Sequence, residues 1–235
     1  MNIALILSGG TGTRLGADIP KQYIEINGRL VISYCMERLV MHDGIDAIQI
    51  VADRHWRDVI LKCFEKNDWI QCSYKKKFRG FSEPGENRQL SIYHGLEDIY
   101  QYASESDIVM IHDAARPLIS IQMITDSLRA IDGYDGVIPV LPMKDTVYKS
   151  EDGRKISALL DRSRIFAGQA PEAFKLGPYL EANRRLLPDD ILLINGSTEP
   201  AVMAGLDIVM IPGEEDNFKI TTWADLERFR KIMEG

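Results

Sequence analysis

The residues best suited to chemistry stand near the start of the chain, in a glycine loop that runs from Ser8 to Gly16. Glycine lets the backbone take positive φ values and approach a ligand closely, and successive N–H groups in such a loop form a nest for anions. Arg14 within the loop and Lys21 just beyond it add two positive charges. A glycine loop with two nearby cations predicts a binding site for a polyphosphate.

Three other interpretations of this loop have to be compared with its sequence. A dinucleotide-binding fingerprint fits at Gly10 and Gly12, but Leu15 stands where its third glycine is needed. A P-loop needs Gly-Lys-Ser or Gly-Lys-Thr, and the sequence contains neither. An ordinary turn between a strand and a helix would bind no ligand. The loop by itself therefore indicates phosphate binding without identifying the nucleotide.

A second group of candidate residues, His112 to Pro117, follows a strongly apolar run. Asp113 could bind a divalent cation, because Mg²⁺ is usually held by one or two carboxylates together with substrate phosphates. The alternative is that Asp113 pairs with Arg116 and only fastens its own loop. We expect His112 to be packed or hydrogen-bonded rather than to act as a base.

Two further candidates gain meaning only from their surroundings. Arg88 and Ser91 are three residues apart near the start of a predicted helix, where anions are favoured, although a surface arginine at a helix start would look the same. Lys219 becomes important only if its segment ends near the glycine loop. The basic run of residues 75–79 is predicted to be a solvated face.

The elements that must position these groups alternate between strand and helix. Apolar runs and helical spacing predict strands at 3–7, 46–51, 70–74, 107–112, 136–140 and 207–211, and helices at 31–40, 54–64, 87–102, 121–131, 176–187 and 222–233, with a short helix or loop near 197–204 and a polar loop at 75–86. This order predicts one α/β domain with a mostly parallel sheet flanked by helices, whose ligands bind beyond the carboxyl ends of the strands. Residues 142–164 interrupt the alternation with a predicted hairpin, which we interpret as a protruding β-arm for subunit contact.

Composition limits the class of protein. The chain has 235 residues and a net charge of −7, which argues against general nucleic-acid binding. The sequence contains no apolar run of about 18 residues, so we expect no membrane span. The first residues do not resemble a signal peptide. The cysteines Cys35, Cys63 and Cys72 are odd in number and widely spaced, so we expect reduced, mostly buried thiols in a cytoplasmic protein.

Taken together and in order, these motifs resemble the cytidylyltransferases that activate polyol phosphates, such as 2-C-methyl-D-erythritol 4-phosphate or ribitol 5-phosphate. The resemblance covers nearly the whole chain. It rests on the glycine loop with Arg14 and Pro20-Lys21, on Gly85-x-x-Arg88-x-x-Ser91, on His112 to Pro117, on Lys144-Asp145-Thr146, on Asp161-Arg162, on Gln169-x-Pro171, and on Asn217-x-Lys219-Ile220-Thr221.

The resemblance implies a single Rossmann-like nucleotidyltransferase domain that binds CTP with Mg²⁺ and a small polyol phosphate, and that forms a homodimer through its β-arm. The roles it implies fall into four sets: catalysis by Arg14, Lys21 and Lys219; CTP binding by Ser8, Gly9, Gly10, Thr11, Gly12, Gly85, Arg88, Ser91, Asp113 and Ala114; acceptor binding by Arg116, Thr146, Asp161 and Arg162; and metal binding by Asp113.

The sequence departs from the family pattern at three places. A Gly-Gly pair that usually precedes the arginine is Pro84-Gly85 here. The usual Gln-Thr-Pro-Gln is replaced by Gln169-Ala170-Pro171-Glu172, and the usual Thr-Asp-Glu or Thr-Asp-Asp by Asn195-Gly196-Ser197. The last two lie in regions that face the polyol phosphate in relatives, so the acceptor is left open.

Three alternatives are kept. The first is a reductase that binds NAD or NADP. The second is a glycosyltransferase with a similar sheet, which usually carries an Asp-x-Asp metal motif that we do not find at a strand end. The third is an inactive dimeric relative that binds nucleotide without turning it over.

Overall fold

The structure is a computed structural model that describes residues 1–10, 19–65 and 67–234. The strands are β1 (Asn2–Leu7), β2 (Glu25–Ile26), β3 (Arg29–Leu30), β4 (Ala47–Val51), β5 (Phe78–Ser82), β6 (Ile108–Asp113), β7 (Gly136–Pro142), β8 (Val147–Lys149), β9 (Ala158–Leu160), β10 (Phe166–Gly168), β11 (Glu172–Lys175) and β12 (Ile208–Pro212). The helices are α1 (Val31–Met41), α2 (Arg54–Leu61), α3 (Asp68–Lys77), α4 (Arg88–Tyr100), α5 (Ile121–Ala130), α6 (Leu176–Arg184), α7 (Glu199–Met203) and α8 (Trp223–Glu234).

A mixed sheet of eight strands runs through the described part of the chain, in the order β10-β7-β11-β6-β1-β4-β5, with β12 beside β7. Strand β1 pairs in parallel with β4 and β6, and the pairs β4–β5 and β7–β12 are also parallel. Strand β10 pairs antiparallel with β7, and β11 pairs antiparallel with β6 and β7. The predicted mostly parallel α/β sheet is therefore confirmed. Because Leu7 lies opposite Asp113, the glycine loop and the His112 to Pro117 segment leave the sheet at the same edge.

Helices cover both faces of this sheet, as the alternation of side chains along β1 requires. Ala4 and Ile6 pack in a buried cluster with residues of α1. Ile3 and Leu5 point to the other face and pack with residues of α4. The α4 helix, whose first residue is Arg88, is thus held directly against the central strand.

The predicted arm is a separate antiparallel hairpin, in which Val147 of β8 lies opposite Leu160 of β9. Its second strand begins at Ala158, within the predicted bounds of 142–164. Between Val147 and Leu160 every residue is exposed, and Ile156 and Leu159 each expose 66% of their surface. At the base of the arm, Nη1 of Arg162 donates to the carbonyl oxygen of Lys144 at 2.8 Å.

Two predictions for residues 70–82 are wrong. Residues 70–74, predicted as a strand, belong to α3, and β5 lies within the predicted polar loop. The alternation of Ile70, Cys72 and Tyr74 imitates a strand, but Ile70 and Tyr74 are four residues apart on one buried helical face. The Asn67 side chain accepts from the N–H of Ile70 at 3.2 Å and so caps this helix.

The cysteines and the helix lengths bear on the compositional expectations. All three cysteines are free, but Cys72 is exposed and Cys63 only partly covered, so the expectation of mostly buried thiols holds for Cys35 alone. Over the residues that the structure describes, no helix combines the length and the apolar character needed to cross a membrane.

Gly95 sets how closely α4 can approach β1, and replacing it tests this packing. A Cβ atom at position 95 would lie 2.5 Å from Cδ1 of the fully buried Leu5. We expect Gly95→Ala to lower the free energy of unfolding by about 1–3 kcal/mol, because overpacking outweighs the gain in helix propensity. Urea denaturation would measure the change.

A matched double variant separates packing from helix propensity. In the Leu5→Ala background the space next to Gly95 is open, so Gly95→Ala should there cost nothing or stabilise the protein. An equal loss of stability in both backgrounds would contradict the packing explanation.

Candidate active site

A cavity of about 350 Å³ lies beyond the carboxyl ends of β1 and β6, where the parallel sheet predicts a ligand. The glycine loop and the loop after β6 contribute to its walls, together with residues 21–22, the start of α4 and Lys219. The residues that line it are Leu7, Gly9, Gly10, Lys21, Gln22, Gly85, Glu86, Asn87, Arg88, Ser91, Asp113, Ala115 and Lys219.

The Asp113 carboxylate is the centre of this site. Its Oδ1 accepts from Nε of Arg88 at 3.0 Å, and its Oδ2 accepts from Nζ of Lys219 at 2.8 Å. Nε of Arg116 lies 3.8 Å from Oδ2. Three cations from distant parts of the chain therefore meet one carboxylate, and the cluster carries two excess positive charges.

These charges decide the protonation of Asp113. Burial alone would raise its pKa, but the charges of Arg88 and Lys219 hold the pKa of Asp113 well below its usual range. The carboxylate is therefore ionised at neutral pH. Burial lowers the pKa of Arg116, and the nearby Asp113 opposes this shift.

A pairing of backbone segments brings Lys219 to Asp113. The N–H of Ile220 donates to the carbonyl oxygen of Ala115 at 2.8 Å, and Nη1 of Arg116 donates to the carbonyl oxygen of Asn217 at 2.6 Å. Residues 217–220 are thus fastened along the loop that follows β6. Lys219 therefore lies near the glycine loop and shares the cavity with Gly9 and Gly10.

The start of α4 presents Arg88 and Ser91. Asn87 is the N-cap, and its side chain accepts from the N–H of Leu90 at 2.7 Å. The hydroxyl of Ser91 accepts from the N–H of Gly85 at 2.9 Å and donates to the carbonyl oxygen of Asn87 at 2.9 Å. Ser91 thereby folds Gly85 against the helix start, and both residues line the cavity.

Hydrogen bonds from Gln22 hold the described part of the glycine loop in place. The amide nitrogen of Gln22 donates to the carbonyl oxygens of Ser8 and Gly10, each at 2.8 Å. The Ser8 side chain turns away from the cavity and donates to the hydroxyl of Tyr23 at 2.7 Å. Gln22 is a site residue that the sequence reasoning did not select, although it follows Lys21 directly. The candidates Thr11, Gly12 and Arg14 lie outside the described residues.

Besides Ser8, five predicted site residues lie outside the cavity walls. Ala114 is buried, with its N–H donating to the carbonyl oxygen of Leu7 at 3.0 Å. Arg116 stands behind Asp113, as in the alternative that it fastens the loop. Thr146, Asp161 and Arg162 belong to the arm region and, within one chain, do not line the cavity.

Two buried residues that the sequence reasoning did not assign to the site stand behind Arg88. Nη1 of Arg88 donates to Oγ of Ser197 at 2.8 Å, and Oγ of Ser197 donates to a carboxylate oxygen of Glu172. Burial raises the pKa of Glu172, while the charge of Arg88 opposes the shift. Each of these positions was noted only as a departure from a family pattern, and nothing in their spacing connects them to Arg88.

His112 is fully buried, as expected for a packed residue. Its Nε2 lies 3.0 Å from the carbonyl oxygen of Arg116, so that nitrogen carries the proton, since a carbonyl only accepts. Nδ1 has no hydrogen-bond partner among the described residues. Burial lowers the pKa of His112 to about 4, which keeps the ring neutral at pH 7.

The donor set fits a magnesium ion only together with a nucleotide. Asp113 is ionised and each of its oxygens retains a lone pair, so it can serve as one ligand. No group of three or more His, Cys, Asp or Glu side chains within the described ranges is placed to hold a metal. One carboxylate plus phosphate oxygens is a usual arrangement for Mg²⁺.

Comparison with known proteins extends over the whole chain. The 2-C-methyl-D-erythritol 4-phosphate cytidylyltransferase (IspD) family matches residues 2–235. The chain belongs to the IspD family. Family membership replaces the reductase and glycosyltransferase alternatives, and it makes the chain a nucleotidyltransferase, specifically a cytidylyltransferase.

Two relatives show the range within the family. A ribitol-5-phosphate cytidylyltransferase of Streptococcus agalactiae serotype III is 29% identical over 236 residues, which cover 100% of this chain and 96% of that protein. A bifunctional enzyme IspD/IspF of Maricaulis maris is 34% identical over 98% of this chain, which spans 57% of that longer protein.

Solved structures confirm the fold. The 2-C-methyl-D-erythritol 4-phosphate cytidylyltransferase of Francisella tularensis superposes with a TM-score of 0.79 at 24% identity, covering 98% of both chains. The 4-diphosphocytidyl-2C-methyl-D-erythritol synthase of Anaerococcus prevotii superposes with a TM-score of 0.81 at 22% identity, covering 100% of this chain and 98% of the other. The IspD-type α/β fold, with helices on both faces of a mostly parallel sheet, is shared.

Burial of His112 predicts how the stability of this IspD-family chain changes with pH. Between pH 6.5 and pH 4 the unfolded chain protonates this histidine and the folded chain does not, so stability falls as the pH falls through this window. The shift corresponds to about 3 kcal/mol. Urea denaturation at pH 7 and at pH 4.5 would measure it.

The His112→Gln variant is the matched control, because its amide can still donate to the carbonyl oxygen of Arg116 and does not titrate. The variant should lose less stability than the wild type between the two pH values. Equal losses in both proteins would contradict the assignment.

Proposed function

We propose that this IspD-family chain transfers CMP from CTP to a short polyol phosphate and releases pyrophosphate. The observation that carries the proposal is the cluster of Arg88, Lys219 and Asp113 on the wall of the cavity, at the edge of the sheet where the glycine loop begins. Excess positive charge in a chain of net charge −7 is suited to a polyanionic substrate.

The reaction joins two negatively charged groups. A phosphate oxygen of the acceptor attacks the α-phosphorus of CTP, a new P–O bond forms, and the bond to the leaving pyrophosphate breaks. A phosphate monoester is already largely ionised at neutral pH, since its second pKa is about 6, so no strong base is needed. The neutral, buried His112 agrees with such a reaction, which depends on positioning and charge stabilisation.

Each cation of the cavity takes a part in this proposal. Lys21 and Lys219 neutralise charge on the transferring phosphate and on the leaving group, and Arg14 of the glycine loop is proposed to assist them. Arg88, together with Ser91 and Gly85, holds the cytidine end of the nucleotide. The backbone of Gly9 and Gly10, fixed by Gln22, faces the phosphates.

We propose Mg²⁺ as the cofactor, with Asp113 as its ligand from this chain. When bound, the ion would screen the charges of the triphosphate. Because Asp113 stands among three cations, it attracts a lone divalent ion only weakly, and the phosphates of CTP supply the missing negative charge.

The acceptor site is proposed to need a second chain. Thr146, Asp161 and Arg162 do not line the cavity of their own chain, and the arm that leads to them carries exposed apolar residues. A homodimer through the arms would bury these residues and bring acceptor-binding groups to the partner's cavity. Methylerythritol 4-phosphate and ribitol 5-phosphate, the acceptors in the relatives' names, are the two candidates. The free cysteines agree with a proposed cytoplasmic location.

A pyrophosphate-release assay tests the function directly. CTP and Mg²⁺ are combined with methylerythritol 4-phosphate, ribitol 5-phosphate or glycerol 3-phosphate, and we expect turnover with one of the first two. Lys21→Met and Lys219→Met should lower turnover by about 10²–10³-fold, because each removes charge stabilisation of the transition state.

Lys175→Met is the matched control, since Lys175 pairs with Asp135 at 3.5 Å and does not line the cavity. It should keep full turnover. Binding of CTP without turnover of any acceptor would favour the inactive relative, and absence of CTP binding would exclude the proposed function.

Light scattering tests the proposed dimer. Ile156 and Leu159 are the apolar side chains that the arm exposes most, so a double change to Asp should convert a dimer into a monomer of unchanged fold. Met203→Asp is the control, because Met203 is similarly exposed, at 62%, but lies on α7 rather than on the arm. A wild-type protein that is monomeric at assay concentration would contradict the proposal.

A further inference from the structure

A buried row of polar side chains leads away from the cavity behind Arg88. Nη1 of Arg88 donates to Oγ of Ser197 at 2.8 Å, Ser197 donates to Oε2 of Glu172, and Oγ1 of Thr198 donates to the same oxygen at 3.0 Å. Ser197 is 1% exposed and Glu172 8% exposed, and neither lines the cavity. The hydrogen-bond path from Glu172 to the cavity therefore runs through Arg88.

Burying this carboxylate is costly unless a positive charge compensates it. The two hydroxyl donors satisfy its hydrogen bonds, and the guanidinium of Arg88 is the positive charge that acts on it most strongly. A neutral glutamine would accept the same hydroxyl hydrogen bonds without the cost of a buried charge. The presence of a carboxylate is thus better explained by its effect on Arg88 than by stability.

The guanidinium of Arg88 is held from two sides. Nε is fixed by Asp113 at 3.0 Å, and Nη1 is fixed by Ser197 with Glu172 behind it. Two contacts on different nitrogens set the plane of a rigid, planar group. Among the described residues Nη2 has no hydrogen-bond partner, so its two N–H groups remain for a ligand of the cavity.

We propose that Glu172 is a positioning residue, which acts through the hydroxyl of Ser197 to hold the guanidinium of Arg88 in the orientation that CTP meets. The inference rests on the proposed function, because it takes the nucleotide as the ligand of Arg88. It adds a residue outside the cavity to those that determine nucleotide affinity.

A purely electrostatic role for Glu172 predicts the opposite effect on binding. Removing a negative charge beside a site for a polyanion would make the local potential more positive and tighten the binding of CTP. Loss of positioning would weaken it, since a neutral amide holds the Ser197 hydroxyl, and through it Nη1 of Arg88, less firmly than a carboxylate does. The sign of the change in affinity therefore distinguishes the two roles.

Calorimetric titration of the full-length protein with CTP in the presence of Mg²⁺ measures this affinity without an acceptor. We expect Glu172→Gln to raise the Kd for CTP by about tenfold, which is the weight of one charge-assisted hydrogen bond. In an Arg88→Met background the same change should alter the Kd by less than about twofold, because the group that Glu172 positions is gone. Glu97→Gln is the matched control. Glu97 also binds an arginine, Arg184, at 2.8 Å, but it lies on a part of α4 that does not line the cavity.

Ser197→Ala provides a second variant that leaves the charge of Glu172 in place. It should also weaken CTP binding severalfold, and its effect should not add to that of Glu172→Gln. Thermal melting checks that each variant is folded, and if Glu172→Gln does not fold, Ser197→Ala alone decides.

Three results would overturn the inference: unchanged or tighter CTP binding by folded Glu172→Gln, an equal loss of affinity in the Arg88→Met background, or unchanged binding by Ser197→Ala. A wild-type protein that binds no CTP would instead refute the proposed function on which the inference rests. The two failures are thus distinguishable in one set of titrations.

Discussion

One ionised carboxylate, that of Asp113, holds together the positive charges on which the site depends. Arg88, Arg116 and Lys219 come from three parts of the chain and would repel each other without it. Because the carboxylate carries one charge against three, the cluster stays positive while each cation remains paired. A polyanion can therefore be attracted without any cation having to be held alone in a buried position.

The parallel sheet makes this cluster possible. Asp113 ends β6, and the glycine loop begins where the adjacent β1 ends, so the two meet without any side chain having to span the sheet. Lys219 has no such neighbour in the sheet and reaches Asp113 because the backbone of Ile220 pairs with Ala115. Burial of Ile220 in a cluster with residues of α1 and α8 stabilises that pairing.

The sequence was sufficient for most of the fold because its central strands are apolar runs and its helices carry regular apolar faces. It failed at 70–82, where two local signals were misleading. Ile70, Cys72 and Tyr74 alternate as in a strand, although Asn67 and the basic run after Tyr74 are suitable for the two ends of a helix. Strand β5 contains Arg79 and Gly80, so no apolar run announces it, and its place beside β4 comes from tertiary pairing.

The site shows the same difference between local and distant information. Arg88, Asp113 and Lys219 each stand in a compact motif, and such motifs can be recognised one at a time. Glu172 and Ser197 were recognised only as departures from a family pattern, 25 residues apart, one gaining a carboxylate and the other lacking one. In the structure they are contact partners, and the hydroxyl of Ser197 links the carboxylate of Glu172 to Arg88. Two departures that meet in space therefore have to be interpreted together, because a change at either residue alters the surroundings of the same arginine.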